Sequence, residues 1–240
     1  MISVIRPWLK GLLGTRNEES RIAWVEGRLA GLPAGARLLD AGAGERRFRA
    51  ACAHLRYVSQ DFCQYDGTGN RAGLQPGHWD TSRIDIVSDI GSIPEDDGSF
   101  DAILCTEVIE HIPDPVAALR EFSRLLRPGG TLLLTAPFAS LTHFAPYHYY
   151  SGFNRYFFER WLGEFGFDLR MVEPNGNYMD FMTQELLRLR DVSDRYSSGL
   201  GWVGTALALA MALRLKALSR RDRGSGELLC FGYHVEATRK

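Results

Sequence analysis

Leu38-Leu39-Asp40-Ala41-Gly42-Ala43-Gly44-Glu45 is the stretch on which the fold turns. With Arg37 it begins as a short apolar run of the kind that forms a buried strand, and it passes directly into two glycines at alternate positions. Gly42 and Gly44 allow a sharp turn and a close backbone approach to a ligand, with no Cβ in the way. Taken alone, such a loop is weak evidence, because an ordinary strand-to-helix turn is the competing reading. Working outward, 21–32 carries apolar residues at helical spacing and is closed by Gly31 and Pro33. On the other side 45–54 reads as a helix and 57–60 as a second strand, which Asp61 ends. An acid about 20 residues past a glycine loop is placed to accept hydrogen bonds from ribose hydroxyls. A solvated turn residue is the competing reading, and the two features together also fit a nicotinamide-dependent dehydrogenase.

Further along, 66–80 is polar and glycine-rich, a loop insertion, and 84–87 is a third short strand. A fourth strand, 100–105, follows the turn-like Glu95-Asp96-Asp97-Gly98-Ser99. Residues 115–126 show helical periodicity with proline at an allowed early position, Arg127-Pro128-Gly129-Gly130 stops that helix, and 131–136 is a fifth strand. Short apolar strands alternating with helices imply a mostly parallel sheet covered on both faces and, by the right-handed crossover rule, doubly wound.

Two later segments separate the alternatives. Asp89-Ile90, the run Phe100-Asp101-Ala102-Ile103-Leu104-Cys105-Thr106-Glu107-Val108-Ile109-Glu110-His111-Ile112, and Leu126-Arg127-Pro128-Gly129-Gly130-Thr131-Leu132 follow the glycine loop in order and at the right spacing. With them the chain resembles the class I methyltransferases, closest to the type 11 group. The resemblance is strong over 37–137 and loose beyond. It implies an α/β, Rossmann-like, doubly wound, mostly parallel seven-stranded sheet with an antiparallel last strand and an insertion or lid after the fifth strand. It implies S-adenosylmethionine as cofactor. Asp40, Gly42 and Gly44 would line its methionine and ribose portion, Asp61 would bind the ribose, and Asp89 and Ile90 would frame the adenine. Thr106 and Glu107 would border the methionine portion and the methyl group. One position departs from the pattern: the family often has a further glycine two residues beyond Gly44, where this chain has Arg46. Under the same reading 1–35 is an N-terminal helical segment and 36–240 the methyltransferase domain, with a substrate lid at 138–160 and a helical addition at 178–225.

Methyl transfer is an in-line displacement from an activated sulfonium, so alignment supplies most of the rate. A base is needed only where the nucleophile must lose a proton. His111, His143 and His148 are the candidates, each against a packing reading of comparable weight. Phe153-Asn154-Arg155-Tyr156-Phe157-Phe158 and Asn175-Gly176-Asn177-Tyr178 set polar groups among aromatics, as an acceptor pocket for a sugar or glycoconjugate would. Helical or core packing is the plainer reading of those aromatics.

Bulk composition narrows the partners. With 45% hydrophobic and 24% charged residues in 240, the chain suits one sizeable α/β domain with or without an appended helical part. A net charge of -1 gives no electrostatic footprint for nucleic acid. Cys52, Cys63, Cys105 and Cys230 form no CxxC pair and stand beside no histidine at ligand spacing, so neither a metal nor a disulfide framework is expected, and a reducing, cytoplasmic compartment is. The first 14 residues mix Trp8, Leu9, Leu12 and Leu13 with Arg6 and Lys10, without the apolar core of a signal peptide; docking on the domain or touching a membrane both suit them. Residues 200–213 read first as a core helix. Arg214, Lys216, Arg220, Arg221 and Arg223 follow, so peripheral contact through 200–223 with an anionic inner membrane surface is the second reading. A non-catalytic cofactor-binding module, and after it an NAD-dependent oxidoreductase, remain the alternatives to an enzyme that methylates a small-molecule or glycoconjugate acceptor at oxygen.

Overall fold

The computed structural model describes residues 16–240, so the expectations for 1–14 lie outside the described residues. The chain divides into two compact units: residues 21–173 with 232–240, and residues 174–231 with 16–20.

The first unit holds the sheet. Its strands are β1 (Arg37–Ala41), β2 (Arg56–Asp61), β3 (Ile86–Val87), β4 (Phe100–Thr106), β5 (Leu126–Pro137), β6 (Phe167–Asn175) and β7 (Gly232–Arg239), in spatial order β3-β2-β1-β4-β5-β7-β6. The β1–β2, β1–β4, β2–β3 and β4–β5 pairs are parallel, and β7 runs antiparallel to β5 in the register Leu132↔Ala237 and Leu134↔Val235. This is the doubly wound seven-stranded architecture that the strand pattern and the resemblance imply. Chain order reverses between β1 and β4, and ligands in such sheets sit at the carboxyl ends beside that reversal.

Helices α1 (Asn17–Ala30), α2 (Pro115–Leu125) and α3 (Arg155–Glu164) accompany the strands. Val25 and Leu29 of α1 are buried in one core with Leu38, Phe48, Cys52, Ala102, Leu104 and Leu133. Each such side chain withdrawn from water contributes about 1.5–3 kcal/mol. That packing places 21–35 with the sheet, so the chain does not divide at 35/36. Asp114 caps α2 by accepting from the Ala117 amide at 2.9 Å, and Pro115 occupies the first helical turn, where its missing N–H is harmless.

Local differences from the sequence reading have identifiable causes. Residues 45–54 form turns and a short 3-10 helix, Arg49–Cys52, because Arg46 adopts φ +56°, a left-handed conformation that an α-helix cannot continue. Residues 227–238 read as the last strand, but that strand starts at Gly232; before it the chain turns at left-handed Gly224 into the 3-10 segment Ser225–Glu227. Phe153 and Phe158 are buried in packing with Phe157, and Asn154 caps α3 by accepting from the Phe157 amide. The stretch 153–158 is therefore helix entry and core.

The second unit contains α4 (Tyr178–Tyr196) packed on α5 (Gly201–Ser219). Asn177 and Asp180 close α4 with a reciprocal capping box, and Asn175 Nδ2 donates to Asn17 Oδ1 at 2.9 Å. Polar residues at 175–180 thus serve helix termini. In α5 only Ala212 is buried, while Trp202 is 84% and Leu207 67% exposed, so the core-helix reading of 200–213 does not hold. Among the described residues this helix alone is long and apolar enough to cross a membrane, by length and composition.

Candidate functional site

A cavity of about 510 Å³ opens over the carboxyl ends of β1, β2 and β4. Gly42, Gln60, Asp61, Ser88, Asp89, Ile90, Glu107 and Val108 line one part of it; His111, Phe62, Tyr65, Trp79, Phe144, Tyr147 and Tyr149 line another. The size lies within the range of sites for small organic ligands.

The glycine loop is built as its sequence requires. Gly42 has φ +73°, and a Cβ there would lie 2.5 Å from both Val108 methyls; Gly44 has φ +50°, and its Cβ would meet Trp79 at 2.4 Å. Asp61 binds the loop from the next strand: Oδ2 accepts from the Gly44 amide at 2.9 Å and Oδ1 from the Cys63 amide at 2.8 Å. Each carboxylate oxygen has a second lone pair for a ribose hydroxyl. Asp89 Oδ1 takes the Gly91 amide at 2.7 Å, leaving the rest of its carboxylate at the cavity wall beside buried Ile90.

Asp40 is placed differently. It is buried, and its carboxyl accepts from the Tyr57 hydroxyl at 2.6 Å instead of lining the cavity. Burial pushes it up to about 6 against the pull of that hydrogen bond, with Asp61 adding a further upward push. Thr106 and Gly44 also stand behind the wall, whereas Gly42 and Glu107 form it. Glu107 carries φ +54°, an uncommon conformation for a residue with a side chain. Its carboxylate accepts from Thr135 Oγ1 at 3.0 Å and pairs with Arg21 at 2.9 Å.

The loop after β5, residues 138–154, and the loop after β2, residues 62–85, meet over the cavity. Leu74 donates to the Thr142 carbonyl and Phe144 to the Leu74 carbonyl, both at 3.0 Å, and Asn70 donates to the Ala145 carbonyl at 3.0 Å. Rings from the two loops face each other: Tyr65–Phe144 centroids are 4.8 Å apart and Trp79–Phe144 5.2 Å. Phe62, Tyr65 and Trp79 were not legible as site residues; the one signal for them is that three aromatics interrupt or border an otherwise polar, glycine-rich insertion.

The three candidate histidines come together. Ring centroids are 4.5 Å apart for His111–His143, 4.7 Å for His143–His148 and 5.7 Å for His111–His148. Burial, reinforced by the neighbouring His143, pushes His111 down to about 3, and the same two causes lower His148. Next to His111 in sequence, Glu110 is fully buried, which together with the nearby Glu107 charge holds its carboxyl well above the usual range. Glu110 and His111 lie 3.7 Å apart and, shifted in opposite directions, face each other as neutral groups.

A strand-order reversal, a glycine loop braced by a β2 aspartate and an acid–apolar pair after β3 are the features of the class I methyltransferase fold. A family model described as a methyltransferase domain matches residues 16–172, more than half the chain, and the chain belongs to that family. The acids and glycines on the cavity wall offer acceptors for hydroxyl and amino groups and suit S-adenosylmethionine as the ligand. Over 118 residues the chain is 36% identical to the ubiquinone biosynthesis O-methyltransferase of Xanthomonas axonopodis pv. citri (strain 306), covering 48% of each. It thus spans about half the length of the curated relatives it matches. Among solved structures it is similar to the cyclase SpnF (TM-score 0.55, 19% identity, 91% of this chain and 80% of that one). It is also similar to a phosphoethanolamine N-methyltransferase 2 of Haemonchus contortus in complex with S-adenosylhomocysteine (TM-score 0.53, 18% identity, 93% and 53%). At those identities the structures establish the fold alone.

Proposed function

We propose that this chain transfers a methyl group from S-adenosylmethionine to a hydroxyl oxygen of a small, ring-bearing acceptor, a phenol or a sugar. The observation that carries this is one continuous cavity, with Gly42, Asp61, Asp89 and Glu107 on one part of its wall and an aromatic box with His111 on the other. The O-methyltransferase relative supports oxygen as the acceptor atom. Aromatic walls stack on phenol rings and on the C–H faces of sugars alike, and few polar groups are needed to orient either.

When bound, the cofactor supplies an activated methyl on sulfur. The residues of this chain do the rest: Asp61 accepts from ribose hydroxyls, Asp89 from the adenine amino group, and Ile90 excludes water from the adenine face. Phe62, Tyr65, Trp79, Phe144 and Tyr147 hold the acceptor ring in line and dry. An imidazole titrating near 3 is a weak general base at neutral pH, so alignment is the larger contribution from this site. Peripheral placement on an anionic membrane, with α5 exposed, belongs to the same reading and suits an apolar or lipid-linked acceptor.

Calorimetric titration with S-adenosylmethionine and S-adenosylhomocysteine tests the cofactor half. Micromolar-range binding that Asp61→Ala abolishes is expected, followed by labelled methyl transfer to a panel of phenols and sugars. Binding without transfer to any of them would favour the non-catalytic module; absence of binding would end the methyltransferase reading.

A further inference from the structure

We infer that Glu110, His111 and His143 form a site for one divalent transition-metal ion where His111 enters the cavity. Three ligand atoms, one from each residue, lie within 4.8 Å of one another. Bonds of about 2.0–2.2 Å to a common centre put ligand atoms roughly 3–3.5 Å apart, and the 3.7 Å between Glu110 Oε1 and His111 Nε2 is already near that. The independent observation is at Glu110. Its side chain is 0% exposed, and neither carboxylate oxygen has a hydrogen-bond partner; buried His111 Nε2 likewise has none. A buried carboxyl group and a buried ring nitrogen, 3.7 Å apart and each without a hydrogen-bond partner, have lost their hydration with nothing in return unless an ion joins them.

The surroundings orient these donors as metal sites do. His111 Nδ1 lies 2.6 Å from the Tyr147 carbonyl and His143 Nδ1 lies 2.8 Å from the Leu141 carbonyl. A carbonyl only accepts, so Nδ1 carries the proton in both rings and the lone pair sits on Nε2, the tautomer a metal requires. The sheet side of the site is held by the 3-10 turn Ile109–His111, the lid side by backbone bonds from Tyr149 and Tyr150 to the Glu110 carbonyl at 3.0 and 3.2 Å. Two imidazoles and one carboxylate favour Mn²⁺, Fe²⁺ or Zn²⁺ over the all-oxygen preference of Mg²⁺. Three protein ligands leave positions open for acceptor oxygens.

The ion's role rests on the methyltransferase reading, though the site itself does not. A hydroxyl bound to the ion ionises near neutral pH and releases its proton to water. Its oxygen then forms the bond to the methyl carbon while the carbon–sulfur bond breaks, the electron pair leaving with sulfur as a neutral thioether.

The test is titration of the chelator-stripped full chain with Mn²⁺ alone, following free Mn²⁺ by electron paramagnetic resonance, with Zn²⁺ as competitor. One ion per chain is expected, displaced by Zn²⁺ and raising Tm with concentration. Glu110→Gln and His143→Ala should each weaken binding at least about 10-fold. Glu110→Gln is a neutral isostere, so its circular dichroism should match the parent. No saturable binding, or binding untouched by both variants, overturns the site. S-adenosylmethionine titrated into the same samples separates the two readings. Cofactor binding without Mn²⁺ binding refutes the metal and spares the function; Mn²⁺ binding without cofactor binding does the reverse.

Discussion

Arg21 Nη1 lies 2.9 Å from Glu107 Oε2, tying helix α1 to the residue that leaves β4 and enters the cavity wall. Both side chains are partly exposed, so the pair contributes only about 0–1 kcal/mol to folding. Its consequence is positional. Thr135 Oγ1 holds the other carboxylate oxygen at 3.0 Å, and together the two contacts fix a side chain whose backbone is already left-handed. Arg21→Ala is expected to lower S-adenosylmethionine affinity several-fold with Tm nearly unchanged, and Arg21→Lys to recover part of the loss. Calorimetry on the three proteins checks this; equal affinities would remove Arg21 from the site.

The glycine loop gives a paired prediction. Gly42→Ala imposes a left-handed conformation costing about 1–2 kcal/mol on a residue with a Cβ, and drives that Cβ into Val108. Stability and cofactor affinity should both fall, the latter about 10-fold or more. Arg46 already bears the same strain at φ +56°. Arg46→Gly should relieve it, so urea unfolding is expected to show stability unchanged or raised by up to about 1 kcal/mol, the added freedom of the unfolded glycine offsetting part of the gain. Clear destabilisation by Arg46→Gly would mean that the arginine side chain makes a contact worth more than the strain.

That arginine also shows what sequence reading can reach. The strands were legible because Leu38, Leu39, Ile103, Leu104, Leu132 and Leu133 are buried in a sheet covered on both faces, and such burial writes unbroken apolar runs. Gly42, Asp61 and Asp89 were legible because backbone conformation and strand ends restrict what can stand there. The turn at 45–48 was not, since helical spacing says nothing about one residue's φ. The pocket contribution of Tyr65 and Trp79 was hidden for another reason: it arises from long-range bonds between two irregular loops, at Leu74 with Thr142 and Phe144. Likewise His143 stands more than thirty residues beyond the adjacent pair Glu110 and His111, and only the fold makes it their neighbour.

Asp40 predicts a pH dependence of stability. Its carboxyl titrates near 6 in the folded chain against 3.8 for the free group. Between those values the folded state holds a proton that the unfolded state has lost, so this group's stabilisation is full below about pH 4 and is lost as pH rises through 6. The difference amounts to about 3 kcal/mol. His234, stacked on Trp24 and held down to about 4 chiefly by burial, acts with the opposite sign: its contribution is lost as pH falls from 6.5 toward 4. The two slopes offset in the parent protein. Asp40→Asn keeps an acceptor for Tyr57 and removes the titration, so the variant should gain on the parent by up to about 3 kcal/mol between pH 4 and 7. Urea unfolding at several pH values measures it, and a pH-independent difference would place the Asp40 titration outside this window.

The exposed face of α5 makes the last prediction. Trp202, Val203, Leu207, Met211 and Leu213 are all about half exposed or more, and Arg220, Arg221 and Arg223 follow the helix. Nineteen residues at about 1.5 Å each make a rod of roughly 28 Å, which can lie along a bilayer surface with its apolar side chains among the acyl chains. Each arginine near an anionic leaflet contributes about 1 kcal/mol, so Gln at all three positions should weaken sedimentation with phosphatidylserine vesicles by roughly 100-fold at low salt. Trp202→Ser with Leu207→Ser should weaken binding to neutral and anionic vesicles alike, because insertion does not depend on charge. Raising the salt should mimic the arginine variant in the parent and leave the serine variant's residual binding salt-sensitive. A parent protein that stays in the supernatant with anionic vesicles at low salt would sink the membrane reading and leave α5 needing a protein partner to cover it.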